Sequence, residues 1–155
     1  MANKLSILFE LFVVTQKTRV LLSEAMSESP LTPTEYAVYS LVYDTVRITP
    51  TDMAERMGLP VTTLLDHIHE MEARGHTRRF PNPADGRSYL ISLTADGLDA
   101  HREAAAHFRQ AMSRLLDHLD ADETEIRRAL VSLGAAAEEA LIHLRDSLTR
   151  AGNPR

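Results

Sequence analysis

The side chains with the most legible chemistry lie between residues 51 and 87. Asp85-Gly86-Arg87 sits in the run Pro81-Asn82-Pro83-Ala84-Asp85-Gly86-Arg87, which is dense in turn formers. A guanidinium on such a projecting loop suits an anionic partner, and the carboxylate of Asp85 suits a bidentate pair that would orient it. Arg78 and Arg79 stand just before this turn, as phosphate ligands or as part of a solvated strand face. Thr62 and Thr63 carry hydroxyl donors, and Asp66 carries an acceptor of the kind that takes a hydrogen bond from a cytosine amino group. His67 has three readings: a base reader, a pH-sensitive group or a packed histidine.

Other chemistries lack their residues. The 155-residue chain has no cysteine, which removes disulfides, thiol nucleophiles and Cys-zinc sites. Its seven histidines do not fall at helical ligand spacing: His67 and His69 are two apart, and no His-Glu-x-x-His occurs. No glycine-rich phosphate loop and no nucleophile elbow is present. The expectation is therefore a non-enzymatic protein with no metal and no cofactor.

The overall charge is -5. From Arg47 to Thr94, however, Arg47, Arg56, Arg74, Arg78, Arg79 and Arg87 are balanced by Asp52, Glu55, Asp66, Glu70, Glu72 and Asp85. The centre is neutral and the flanks carry the net negative charge, so an anionic partner must be met by a local cationic face. The start of the chain lacks the pattern of a secretory leader, and no apolar run approaches the roughly 18 residues of a membrane span. A cytoplasmic location without membrane attachment is the expectation.

The elements that must position these residues follow from hydrophobic period and caps. Leu5, Leu8, Phe12, Thr15, Arg19, Leu22 and Met26 recur at helical spacing and predict a long first helix. Thr32-Pro33-Thr34-Glu35 and Thr49-Pro50-Thr51-Asp52 each read as a helix start. The second helix runs to about Asp44, and the third is stopped by Gly58. A fourth helix begins near Val61, carries Leu64, Ile68 and Met71 inward, and ends at Gly75. Thr77 to Phe80 and Tyr89 to Leu93 then read as two strands of a hairpin. Thr94 caps a long fifth helix, and a sixth carries Ile126, Leu130, Leu133, Ala137, Leu141, Leu144 and Leu148. Long terminal helices with broad apolar faces predict packing on a symmetry mate as a two-fold dimer.

Two helices joined at Gly58 have helix-turn-helix form, in which the second helix enters a major groove, and the hairpin behind them has the place of a wing. Leu31-Thr32-Pro33-Thr34-Glu35-Tyr36, Met53-Ala54-Glu55-Arg56-Met57-Gly58-Leu59, Glu72-Ala73-Arg74-Gly75 and above all Asp85-Gly86-Arg87 with Leu93-Thr94 resemble the MarR family of transcription regulators. The resemblance spans nearly the whole chain. It implies a mainly α fold with a minor β part: residues 31–94 as a winged helix-turn-helix DNA-binding domain, residues 1–30 and 95–150 as a helical dimerisation region, and residues 151–155 as a flexible tail. It also implies a homodimer on the double-stranded DNA of a pseudo-palindromic operator, with Thr51, Thr62, Thr63, Asp66, His67, Arg78, Arg79 and Arg87 at the interface. Arg87 would enter a minor groove, with Asp85 stabilising the wing. A small-molecule effector would bind among Phe12, Gln16, Arg19, Tyr36, Tyr39, Tyr43 and Phe108, with Arg19 as anchor for an anion. One departure stands out: Asp66 and Glu70 occupy places where such helices usually carry cations. That opens an alternative, a MarR-like ligand-binding or anti-repressor protein whose DNA binding is weakened or lost.

Overall fold

The computed structural model describes residues 6–151, with side chains through residue 148. Leu5 of the first-helix stripe and residues 152–155 of the expected tail lie outside the described residues, and Ala151 closes the last helix. The element order is α1 (Ile7–Ala25), α2 (Pro33–Thr45), α3 (Pro50–Met57), α4 (Val61–Ala73), β1 (Thr77–Pro81), β2 (Tyr89–Leu93), α5 (Ala95–Asp117) and α6 (Glu123–Ala151). This is the expected mainly helical winged helix-turn-helix. The chain forms two compact units, one through Ser113 and one from Arg114.

Caps explain most of the boundaries in the first unit. Thr32 and Glu35 form a reciprocal capping box at α2, with Pro33 at the first helical position. The Thr49 hydroxyl accepts from Asp52 N–H to start α3. Gly58 ends that helix in the left-handed conformation, φ 63°, which permits the tight turn into α4. By contrast α4 begins behind Pro60 with no side-chain cap at all. The strands pair antiparallel, with Arg79 opposite Ile91 and Phe80 opposite Leu90, and Ile48 adds a further bridge to Ile91.

The core gathers where these elements meet. Val38, Tyr39 and Val42 of α2, Met53 and Ala54 of α3, Leu64, Ile68 and Met71 of α4, and Ile91 and Leu93 of β2 are buried together. Burying a single such side chain contributes about 1.5–3 kcal/mol, so α3 and α4 are held by packing rather than by propensity.

A strained turn closes α2. Val46 has φ 64° and ψ -45°, and Arg47 N–H donates to Thr45 C=O at 2.7 Å. This is a γ-turn of the disfavoured hand, centred on a β-branched residue. Val46 is the one non-glycine residue at positive φ among the described residues. Val46→Gly is expected to raise the urea midpoint, at unchanged slope, by a stability gain of about 1 kcal/mol. An unchanged midpoint would show that the turn holds no strain.

Outside this core, apolar surface is left over. Among the residues whose side chains are described, none of α1 or α6 is fully buried. Ile7, Leu8 and Phe12 on α1 are exposed, and so are Leu130, Leu141, Leu144 and Leu148 on α6, Leu148 to 72%. In the second unit Asp122 caps α6, its carboxylate accepting from Glu125 N–H at 3.0 Å.

Candidate nucleic-acid interface

The outward side of α4 follows from its inward one. With Leu64, Ile68 and Met71 in the core, the 3.6-residue period turns Thr62, Thr63 and Asp66 to the surface, and all three are exposed. Thr51 is exposed in the first turn of α3. His67 is half-buried between the two sides: its Nδ1 is buried without a hydrogen bond and lies 4.0 Å from the Glu70 carboxylate. No lysine or arginine lies in α4.

Two charged contacts fasten the far end of α4. Arg74, at its C-cap, reaches the Glu35 carboxylate at 2.6 Å, and Glu35 is nearly buried. Burial alone would push the Glu35 carboxyl up, but hydrogen bonds from Thr32 and the charge of Arg74 outweigh it and hold the pKa below the ordinary 4.5. Beside this pair the Tyr39 hydroxyl meets His76 Nδ1 at 2.8 Å. Glu72 takes Arg79, with Nη2 at 2.8 Å from Oε2, and the Arg79 guanidinium also lies 4.2 Å from the Tyr89 ring centre.

The hairpin loop is tied to itself. Asn82 Nδ2 donates to Ser88 Oγ at 2.7 Å, and Asn82 Oδ1 accepts from Ala84 N–H at 3.0 Å. Asp85 behaves differently from the expectation. It makes no ion pair with the Arg87 guanidinium; its Oδ1 accepts from the backbone N–H of Arg87 at 3.0 Å. The reason is local: an Asx turn two residues long closes sooner than a pairing of two side chains. The Arg87 side chain is left exposed, with no ion pair among the described residues.

The residues expected to meet an effector separate. Tyr36 and Phe108 approach with ring centres 4.8 Å apart, and Tyr43 stacks at 4.8 Å on His101 of α5. His101 also stacks on Tyr36 and shares a 3.0 Å hydrogen bond with the Ser40 hydroxyl. Tyr39 instead turns into the core toward His76. Phe12 and Arg19 are exposed on α1, and Gln16 is half-buried. His101 and Ser40 were missed by the sequence reading; the only signal was the seven-residue interval from His101 to Phe108, two helical turns.

Burial pushes the His101 imidazole below its ordinary 6.5, with Asp44 pulling the other way. The folded state thus disfavours the charged form, and the unfolded chain binds the proton first. The stability that this group contributes is complete above pH 6.5 and is lost as pH falls below it. Thermal melts from about pH 7.5 to about pH 5.5 should show this decline, and His101→Gln should flatten it. An equal decline in both proteins would assign the acid sensitivity elsewhere.

Among the described residues no three His, Asp or Glu side chains are grouped to hold a metal, and no helix is long and apolar enough to cross a membrane.

Comparison with known proteins agrees with this geometry. Residues 31–89 match the model of the MarR family. The multiple antibiotic resistance protein MarR of Salmonella typhimurium is 26% identical over 117 residues, 73% of this chain and 79% of that protein. The Escherichia coli protein of the same name is 26% identical over 115 residues, 72% of this chain and 78% of that protein. Among solved structures, the Mycobacterium tuberculosis regulator MOSR in complex with DNA has a TM-score of 0.74 at 24% identity, covering 88% of this chain and 98% of that one. A mutant of E. coli MarR complexed with operator DNA has a TM-score of 0.69 at 24% identity, covering 79% and 88%. PcaV of Streptomyces coelicolor, in complex with its natural ligand, has a TM-score of 0.69 at 26% identity, covering 83% and 90%.

Proposed function

We propose that the chain is a winged-helix regulator of the MarR type, a homodimeric transcription regulator, most simply a ligand-responsive repressor, acting on duplex DNA in the cytoplasm. Residues 31–94 are its DNA-binding part, and residues 1–30 and 95–150 its dimerisation region. The observation that carries the reading is the wing: an exposed Arg87 on an internally tied loop, beside an α4 whose outer face is clear of its own core. Paired copies of α4 would occupy major grooves about one helical turn apart, and paired wings the minor grooves beside them. The DNA complexes of MOSR and of E. coli MarR support this use of the fold.

The proposed contacts are Thr51, Thr62, Thr63, Asp66 and His67 on the helices and Arg78 and Arg87 on the hairpin. Arg79 is committed to Glu72 and contributes less. An α4 without cations releases few counterions, so affinity rests on the hairpin and its salt dependence is shallow. The uncovered apolar residues of α1 and α6 support a second copy as their cover. The Tyr36, Tyr43, His101 and Phe108 rings are the proposed effector contacts, and the ligand complex of PcaV supports a small molecule as the signal.

The test is a mobility shift with the DNA upstream of the protein's own gene, at low and high salt. A shift at low salt that weakens with added salt is expected; no shift of any fragment at low salt would overturn the regulator reading. Light scattering should give twice the 17.3 kDa chain mass, and a mass of one chain would remove the dimer.

A further inference from the structure

We propose that Arg47 and Arg78, brought together on the Phe80 ring, form a clamp for the phosphate backbone of duplex DNA on the outer face of the wing sheet. The clamp adds a contact to the DNA-binding reading and rests on it.

Strand alternation makes the face. Thr77, Ile91 and Leu93 are buried toward the core, so the residues between them, Arg78, Phe80, Leu90 and Ser92, belong to the opposite side. Arg79 falls on the inner side and is taken by Glu72. Arg78 escapes that carboxylate: its guanidinium lies 5.2 Å from the Phe80 ring centre. Arg47 arrives from 31 positions earlier in the chain, turned by the γ-turn at Val46 and set in register by the Ile48–Ile91 bridge. Its guanidinium lies 4.1 Å from the same ring centre.

Two cations share one aromatic ring, both are exposed, and neither forms an ion pair among the described residues. Stacking on a ring leaves the edge of a planar guanidinium, with its N–H donors, open to an oxyanion. Two like charges on one ring repel, and a phosphate between them relieves the repulsion. Arginines held by β1 and by the segment bridged to β2 at Ile48 would also grip a rigid, regularly spaced backbone better than a flexible acidic peptide. The clamp explains how a helix-turn-helix with no cation in α4 can still hold DNA: phosphate contacts set register and orientation, and these two need no base.

Salt-titrated binding of wild type, Arg47→Ala, Arg78→Ala and Arg47→Lys tests the clamp, with Arg102→Ala as an exposed cation on α5 that is paired with Asp99. Each alanine variant should reduce the slope of log affinity against log salt by about one, on the upstream fragment and on unrelated duplex alike. Between 50 and 200 mM salt that changes the ratio of wild-type to variant affinity about 3.5-fold. Arg47→Lys should keep the slope and lose affinity, because a lysine keeps the charge without the stacked plane. Arg102→Ala should match wild type. If wild type binds and both alanine variants keep its slope, the clamp is wrong while the regulator reading stands. A slope lost on the upstream fragment alone would mean base reading and also overturn it. If wild type binds no duplex, the regulator reading falls first and takes the clamp with it.

Discussion

Arg87→Ala is expected to weaken binding to the upstream DNA by about 1–3 kcal/mol, roughly 5- to 150-fold, with the melting temperature unchanged. The size follows from how the side chain is presented. Asp85 holds the Arg87 backbone, and Ser88 N–H donates to Asp85 C=O at 3.1 Å, so the guanidinium starts from a fixed stem. Little ordering is lost when it enters a groove. A narrow minor groove concentrates negative potential, which a guanidinium meets without displacing a protein partner. The stability should not move, because the side chain is exposed. Asp85→Ala should give a smaller loss, since the charge remains while its stem loosens. Mobility shifts at one salt concentration, with thermal melts of the same samples, check both parts. Equal affinity of wild type and Arg87→Ala would remove the wing from the interface.

Gly97→Ala should cost about 3 kcal/mol, lowering the melting temperature by roughly 6–12 °C. A Cβ at this position would collide with the carbonyl oxygen of His76, and backbone cannot step aside as a flexible side chain can. That carbonyl already accepts from Thr94 N–H at 2.9 Å, and the Thr94 hydroxyl donates to Gly75 C=O at 2.8 Å. The same hydroxyl accepts from Gly97 N–H to cap α5. Relief of the collision must therefore lengthen the bonds that tie the first turn of α5 to the segment leading into β1. Gly134→Ala is the control: nothing lies within 4 Å of its added Cβ, and a helical alanine should hold or raise the melting temperature. A Gly97→Ala protein that melts with wild type would show that the close approach is absent in solution.

What the sequence makes legible depends on the range of each interaction. Capping boxes, glycine stops and the two-residue period of the strands act over a few positions, so Thr32, Thr49, Gly58, Gly75 and the hairpin limits were legible. The inward face of α4 was legible for the same reason. Arg47 was not, because its partner ring is 33 positions away and meets it only through the bridge at Ile48. Arg78 and Arg79 looked alike in one dimension; the pleat sends one to Phe80 and the other to Glu72. Glu35 was read as a cap alone, while its second acceptor, used by Arg74, depends on where α4 ends in space. The turn at Val46 had no local signal, since valine is a residue that such a conformation disfavours.

The two ends of α4 are secured unequally. Its last turn is riveted by Arg74 to Glu35 and by Glu72 to Arg79, whereas its first turn follows Pro60 with no side-chain rivet. The helix is in effect a cantilever whose tip, held by the buried Leu64 and by no side-chain cap, carries Thr62 and Thr63. On the proposed DNA-binding reading, small mismatches between the two halves of a binding site would be taken up at that tip, while the clamped root holds α4 to α2 and to β1.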